Sequence, residues 1–172
     1  MTGVQTCALP ISIIDSYTYC TLIGGHTKTP TFSLKFDRQV DFVGGAGIVA
    51  RHMKKAGADV AFTTVLGDDA LKTLALGDLE AHGIQCNAVI DATRPTTQKN
   101  LFTAGGYRLL KVDSVDNRSI SDKIVDTFGG HVADTKTEAV VFSDFRHGIF
   151  NSSTIPRLTQ AIPAGPDRKS VV

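Results

Sequence analysis

Residues 37–69 read DRQVDFVGGAGIVARHMKKAGADVAFTTVLGDD, and this stretch decides the fold. It opens with Val40 and Phe42 alternating with polar residues, the period of a half-exposed strand. Gly44-Gly45-Ala46-Gly47 breaks that period, a helical pattern runs to about Lys55, and Gly57 is placed to end it. Val60 to Leu66 is continuously apolar and β-branched, the mark of a strand buried on both faces of a parallel sheet. Asp68-Asp69 then occupies a helix N-cap position, ahead of a helix over 70–82 with Leu71, Leu74, Ala75 and Leu79 as its apolar stripe. Buried strands alternating with helices define an α/β sheet.

Both flanks extend this reading. Downstream, Gly83 precedes a strand over 84–90, and residues 96–112 form a hairpin turning at Gly105-Gly106. A helix over 121–133, a buried strand over 139–143 and a short helix over 154–161 follow. Upstream, residues 13–23 are rich in β-branched and aromatic side chains, and Phe32, Leu34 and Phe36 alternate with polar neighbours. The alternating segments do not suit a parallel sheet covered on both faces; they predict a separate small β-layer with one wet face. Segments 31–43 and 96–113 are predicted to pair antiparallel there, projecting from a body built on 60–66, 84–90 and 139–143.

The chain has 172 residues, 42% hydrophobic and 20% charged, which suits one globular domain. Its 18 basic and 17 acidic side chains leave a net charge of +1, so electrostatics argue against nucleic acid or anionic membrane as partners. No apolar run approaches the roughly 18 residues of a membrane helix. Cys7, Cys20 and Cys86 form neither a disulfide framework nor a metal knuckle, as expected of a protein in the reducing cytoplasm. The ends read differently. Residues 1–11 and 167–172 back-translate into sequences resembling the two adapters of short-read sequencing libraries, so they are expected to lie outside the packed fold. That leaves 12–166 as the domain.

Gly45-x-Gly47-x-x-Ala50 matches a dinucleotide fingerprint, in which backbone N–H groups at a helix start cradle a phosphate. The preceding segment is half polar, unlike the apolar first strand such a site needs. The five histidines, 26, 52, 82, 131 and 147, are scattered and read as surface or core residues rather than metal ligands. Gly44-Gly45 is either a tight turn or a place where a ligand meets bare backbone. Asp144 ends a buried strand, at the edge where α/β sheets bind ligands, or else caps the next segment.

Taken in order, these residues resemble one family. Asp15-x-Tyr17, Gly44-Gly45-Ala-Gly-x-Val-Ala50, Leu66-Gly-Asp-Asp69, Arg94-Pro-Thr-Thr97-x-Lys99, Tyr107-Arg-Leu-Leu-Lys-Val-Asp113 and Val140-Val-Phe-Ser-Asp144 resemble the PfkB, or ribokinase-like, sugar kinases. The Pro-Thr-Thr-x-Lys hairpin and the Ser-Asp strand end look most like the heptose-phosphate kinases of ADP-heptose synthesis. The resemblance implies a Rossmann-like α/β/α body, here its N-terminal part, with a small β-sheet lid over 18–43 and 96–113 that closes on the sugar and can mediate a homodimer. It implies phosphorylation of a sugar or sugar phosphate with ATP and Mg2+. By the same resemblance, Asp15 and Asp144 bind sugar hydroxyls, Gly44 and Gly45 let the sugar lie on the backbone, and Lys99 meets a substrate phosphate. Carboxylates suit hydroxyl pairs because charge strengthens the bonds they accept.

There are departures. Ile48 stands where the family often has Asn, and Arg146-His147-Gly148 stands where the heptose kinases carry Gly-Lys-Gly. The family's Gly-Ala-Gly-Asp motif, source of its anion hole and catalytic base, does not occur in the 172 residues. The expectation is therefore that base and ATP site belong to a C-terminal half beyond this sequence, and that the chain alone is inactive. Two other readings stand beside this one: a nicotinamide-dependent oxidoreductase domain, and a non-catalytic sugar-binding module.

Overall fold

The structure, a computed structural model, describes residues 5–9, 12–25, 31–163 and 167–171. Two sheets organise it. The body sheet is parallel and has the order β5-β4-β1-β8-β9, with β1 Gln5–Leu9, β4 Asp59–Leu66, β5 Gln85–Ile90, β8 Ala139–Ser143 and β9 Asp167–Val171. The second sheet has the order β3-β2-β6-β7, with β2 Ser12–Gly25, β3 Phe32–Gly45, β6 Gln98–Ala104 and β7 Tyr107–Ser114. The helices are α1 Ala46–Lys55, α2 Ala70–Ala81, α3 Asp122–Asp134 and α4 Thr154–Gln160.

Strand β4 shows why the body is three-layered. Its successive side chains point to opposite faces. Val60 and Phe62 pack with Ala46, Ala50 of α1 and Leu79 of α2. Val65 packs with Val125, Phe128 and Val132 of α3 and Leu158 of α4. Both faces are covered, as the continuous apolar run requires. The lid sheet is anchored where β2 leaves the body: Ile14 packs with Val43, Leu66 and Ala75, while Ile13 joins the opposite core.

Two expectations need correction. Residues 5–9 and 167–171, expected outside the packed fold, are paired strands. β1 lies in the middle of the body sheet, pairing parallel with β4 and β8, and β9 extends its edge beside β8. Thr6 is only 5% exposed. The reason is backbone accounting: without β1, the facing edges of β4 and β8 would leave their N–H and C=O groups unpaired inside the protein. Residues 1–4, 10–11, 164–166 and 172 lie outside the described residues.

The lid sheet is mixed, not antiparallel. Segments 31–43 and 96–113 do share it, but β2 runs between them, antiparallel to β3 and parallel to β6. The lid begins at Ser12 rather than residue 18. Period two continues through Asp15, Tyr17 and Tyr19, whereas Ile13 and Ile14 are apolar because that end of the strand enters the body core.

The glycine turn before α1 follows β3, a lid strand, and not a strand of the parallel sheet. A phosphate cradle of the dinucleotide type opens from a parallel strand, so this turn lacks that context.

Candidate functional site

The site grows from Asp15. In β2 it lies opposite Phe42 of β3 on one side and Lys99 of β6 on the other, and Lys99 lies opposite Asp113 of β7. Directly opposed residues share a face of a sheet. Asp15, Phe42, Lys99 and Asp113 therefore form one row across the lid. Tyr17, Val40, Leu101 and Lys111 form the next.

The two glycines resolve differently. Gly45 has φ 56° and ψ −131°, a conformation that essentially requires glycine, so it is the turn. Gly44 makes room for a close approach, but of Asp15. A Cβ at Gly44 would stand 2.1 Å from Asp15 Oδ2. The carboxylate thus rests over bare backbone, inside a cleft of about 870 Å³ walled by Tyr17, Phe42, Ile48, Arg51 and His52. Tyr17 and Phe42 meet edge to face at 5.9 Å, which braces that wall. A smaller cavity of about 240 Å³ shares Asp15 and Tyr17 and adds Lys99, Arg108 and Lys111.

Burial raises the Asp15 carboxyl above its ordinary range; Lys99 and Lys111 pull it back and Asp113 adds to the rise. An anion held in half-dry surroundings beside two ammonium groups can accept strong hydrogen bonds from hydroxyls, and the cations can meet an anionic substituent.

Lys99 is placed by a joint between two motifs. Gly67 N–H donates to Thr96 Oγ1 at 3.0 Å, and Thr96 N–H donates to Asp69 Oδ2 at 2.8 Å. Asp69 also caps α2, accepting from Lys72 N at 3.0 Å. A Cβ at Gly67 would come within 2.5 Å of Thr96 N and 2.6 Å of Arg94 O. Burial opposes the charge on Asp69, yet the donors from Thr96 and Lys72 outweigh it and hold the carboxyl below its ordinary range. Behind this joint, buried Arg94 donates from Nε to Asp91 Oδ2 at 2.8 Å and from Nη2 to the Arg118 and Ser119 carbonyls.

Asp144 follows β8 and is exposed. Its Oδ1 accepts from Arg146 N at 2.6 Å, so it caps a turn. It lines neither of the two cavities around Asp15. Burial, then Lys99, lowers the nearby His147 imidazole below its ordinary range, against the pull of Asp113 and Asp144. Lys111, Asp113, Arg108 and His147 were not singled out from sequence as site residues. The first three lie in the Tyr107–Asp113 motif, but only the β6–β7 register shows which of them face Asp15. Among the described residues, no three His, Cys, Asp or Glu side chains converge into a metal cage.

A parallel three-layer body, a projecting lid sheet and a cleft holding the Asp15 carboxylate make up the architecture. Residues 13–130 match the family described as pfkB family carbohydrate kinase, and the chain belongs to that family. It is 26% identical over 146 residues to the bifunctional protein HldE of Caulobacter vibrioides, covering 83% of this chain and 30% of that protein. It is 28% identical over 152 residues to an HldE protein of Campylobacter jejuni, covering 87% of this chain and 31% of that protein. The chain thus spans about a third or less of the length of these curated relatives. Among solved structures, phosphofructokinase-2 from Escherichia coli in complex with fructose-6-phosphate superimposes with a TM-score of 0.69 at 18% identity, covering 100% of this chain and 55% of that one. A carbohydrate kinase from Agrobacterium tumefaciens gives 0.56 at 10% identity, covering 81% and 45%. At these identities the structures speak for the ribokinase-like fold.

Proposed function

We propose that the protein represented by this chain phosphorylates a sugar or sugar-phosphate hydroxyl with ATP, and that these 172 residues supply its acceptor-sugar site. The likeness to heptose-phosphate kinases directs the reading to a seven-carbon sugar phosphate. One observation carries it: the Asp15 carboxylate seated on the bare Gly44 backbone, inside a cleft and beside Lys99. In this reading Asp15 and Asp144 accept from sugar hydroxyls, Gly44 and Gly45 let the sugar lie on the backbone, and Lys99 meets the acceptor's phosphate. MgATP supplies the phosphoryl group. Its transfer depends on positioning and on stabilising charge in the transferring group. The nicotinamide alternative loses support because the glycine turn follows a lid strand.

The lid also supports a homodimer. Leu22, Phe36, Leu110 and Val112 are between 48% and 62% exposed on it, more apolar surface than a thin sheet leaves bare without a partner. Among the described residues no helix is long and apolar enough to cross a membrane. The expected setting is the cytoplasm, where ATP and sugar phosphates are at hand.

The test is calorimetric titration of the chain with sugar phosphates of six and seven carbons, alongside an ADP-release assay. Saturable binding abolished in Asp15→Asn supports the reading; ATP turnover is expected only from the longer protein. Sugar-dependent ADP release by these 172 residues would overturn the placement of the catalytic base outside them.

A further inference from the structure

The loop after β8 holds a side chain that the proposed function does not use. Arg146 and His147 both have positive φ, 69° and 65°, and Gly148 follows at 82°. Consecutive non-glycine residues in this region are uncommon and persist where their surroundings over-determine them. Here the surroundings are explicit. Asp144 Oδ1 accepts from Arg146 N, and the Gly148 carbonyl accepts from Ile120 N. A Cβ at Gly148 would stand 2.1 Å from Arg118 O. That same Arg118 carbonyl, with Ser119 O, accepts from Arg94, whose guanidinium is locked to Asp91. A buried ion pair therefore fixes the strap 117–120, and the strap fixes the loop.

The strap also fixes the histidine ring. His147 Nδ1 lies 2.9 Å from Asn117 Oδ1. An amide oxygen only accepts, so Nδ1 carries the proton and Nε2 presents its lone pair. That Nε2 is buried and, among the described residues, has no hydrogen-bond partner. Buried polar atoms are ordinarily paired, so an acceptor held this firmly and left unpaired points to a donor that arrives from outside. The charged groups that act on the ring are Lys99 from β6, Asp113 from β7 and Asp144 beside it, and Lys99 lines the smaller cavity next to Asp15.

We propose that His147 is a specificity residue for the acceptor sugar, its Nε2 lone pair accepting a hydrogen bond from a sugar hydroxyl beside Asp144. The inference rests on the acceptor-site reading above. Burial, then Lys99, pushes the imidazole below its ordinary 6.5, against the pull of Asp113 and Asp144, so the ring is neutral at physiological pH. Protonation would replace the acceptor with a donor, so affinity should fall as pH drops through that lowered value.

The experiment uses the 172-residue chain with 15N-labelled histidine. Long-range nitrogen correlation spectra should show His147 protonated on Nδ1. Fructose 6-phosphate and sedoheptulose 7-phosphate are the probes, and the Nε2 resonance should move as a probe saturates. His147→Asn, which tolerates positive φ, should weaken binding about five- to tenfold, the worth of one neutral hydrogen bond, and make the acid-side fall in affinity shallower, the remainder belonging to Asp15 and the probe's phosphate. His147→Gln, which keeps an acceptor on a longer stem, should lose less. Thermal unfolding midpoints near that of the parent chain confirm that the variants are folded. Binding that is lost in Asp15→Asn but unchanged in His147→Asn, with Nε2 unmoved, overturns this inference and leaves the acceptor site standing. No binding by either probe, or equal binding by Asp15→Asn, overturns both.

Discussion

At the scale of single residues, burial raises both Asp15 and Asp91, and only Asp91 has hydrogen-bond donors that outweigh it. Asp15 is raised by burial, so its charged form is disfavoured in the fold. A carboxyl with a raised folded value costs stability once ionised, and that cost fades as pH falls through it. Asp15→Asn should therefore raise the thermal midpoint at pH 7 while abolishing sugar binding, a trade typical of functional sites. Gly44→Ala should do the reverse of a neutral change. Its methyl would occupy the place of Asp15 Oδ2, displacing the carboxylate and costing about 1–3 kcal/mol in urea unfolding as well as the binding. Asp91 shows the opposite sign. Burial pushes it up, but hydrogen bonds from Thr93 and Arg94 outweigh that and hold it low. Its contribution is present above the ordinary carboxylate value and is lost as pH falls through the lowered one. Arg94→Ala, which strands Asp91 in the interior, should cost about 3–5 kcal/mol, measured by urea unfolding at pH 7 and shrinking below pH 4.

At the scale of elements, much was legible and the exceptions have physical causes. Helix α2 announces itself through Asp69 and the stripe ending at Leu79, and the cap is made as read. Asp69→Ala removes both the cap and the bond from Thr96, so about 1–2 kcal/mol should be lost, with weakened sugar binding as Lys99 loses its anchor. Strand β4 was equally plain, since seven successive residues from Val60 suit burial on both faces. Strand β1 was not. Gln5-Thr-Cys-Ala-Leu9 has no β-branched run, and its place comes from the gap between β4 and β8 rather than from propensity. The lid register was also hidden. Alternation tells which residues share a face of one strand, but not that β2 runs parallel to β6 and sets Asp15 beside Lys99. His147 escaped for the same reason: its partner Asn117 is 30 residues away in sequence.

At the scale of the whole molecule, the body and the lid share one strand entry and one clamp. The body depends on β1, because both of its neighbours pair with it. Deleting residues 1–9 should expose the β4 and β8 edges and drive the protein into aggregates, seen as a rise in light scattering at concentrations where the full chain stays dispersed. The lid depends on its apolar face. Leu110→Lys, placed on that face, should shift the chain from dimer to monomer in size-exclusion chromatography with light scattering, leaving sugar binding in place. The central claim is that the acceptor sugar sits between Asp15, the glycine floor and Lys99. Amide chemical-shift mapping of the 15N-labelled chain with a seven-carbon sugar phosphate tests it most directly. The account predicts saturable shifts centred on Asp15, Gly44, Gly45 and Lys99 that vanish in Asp15→Asn. Shifts centred on the α1 face away from Asp15, or a spectrum that the sugar leaves unchanged, would contradict it.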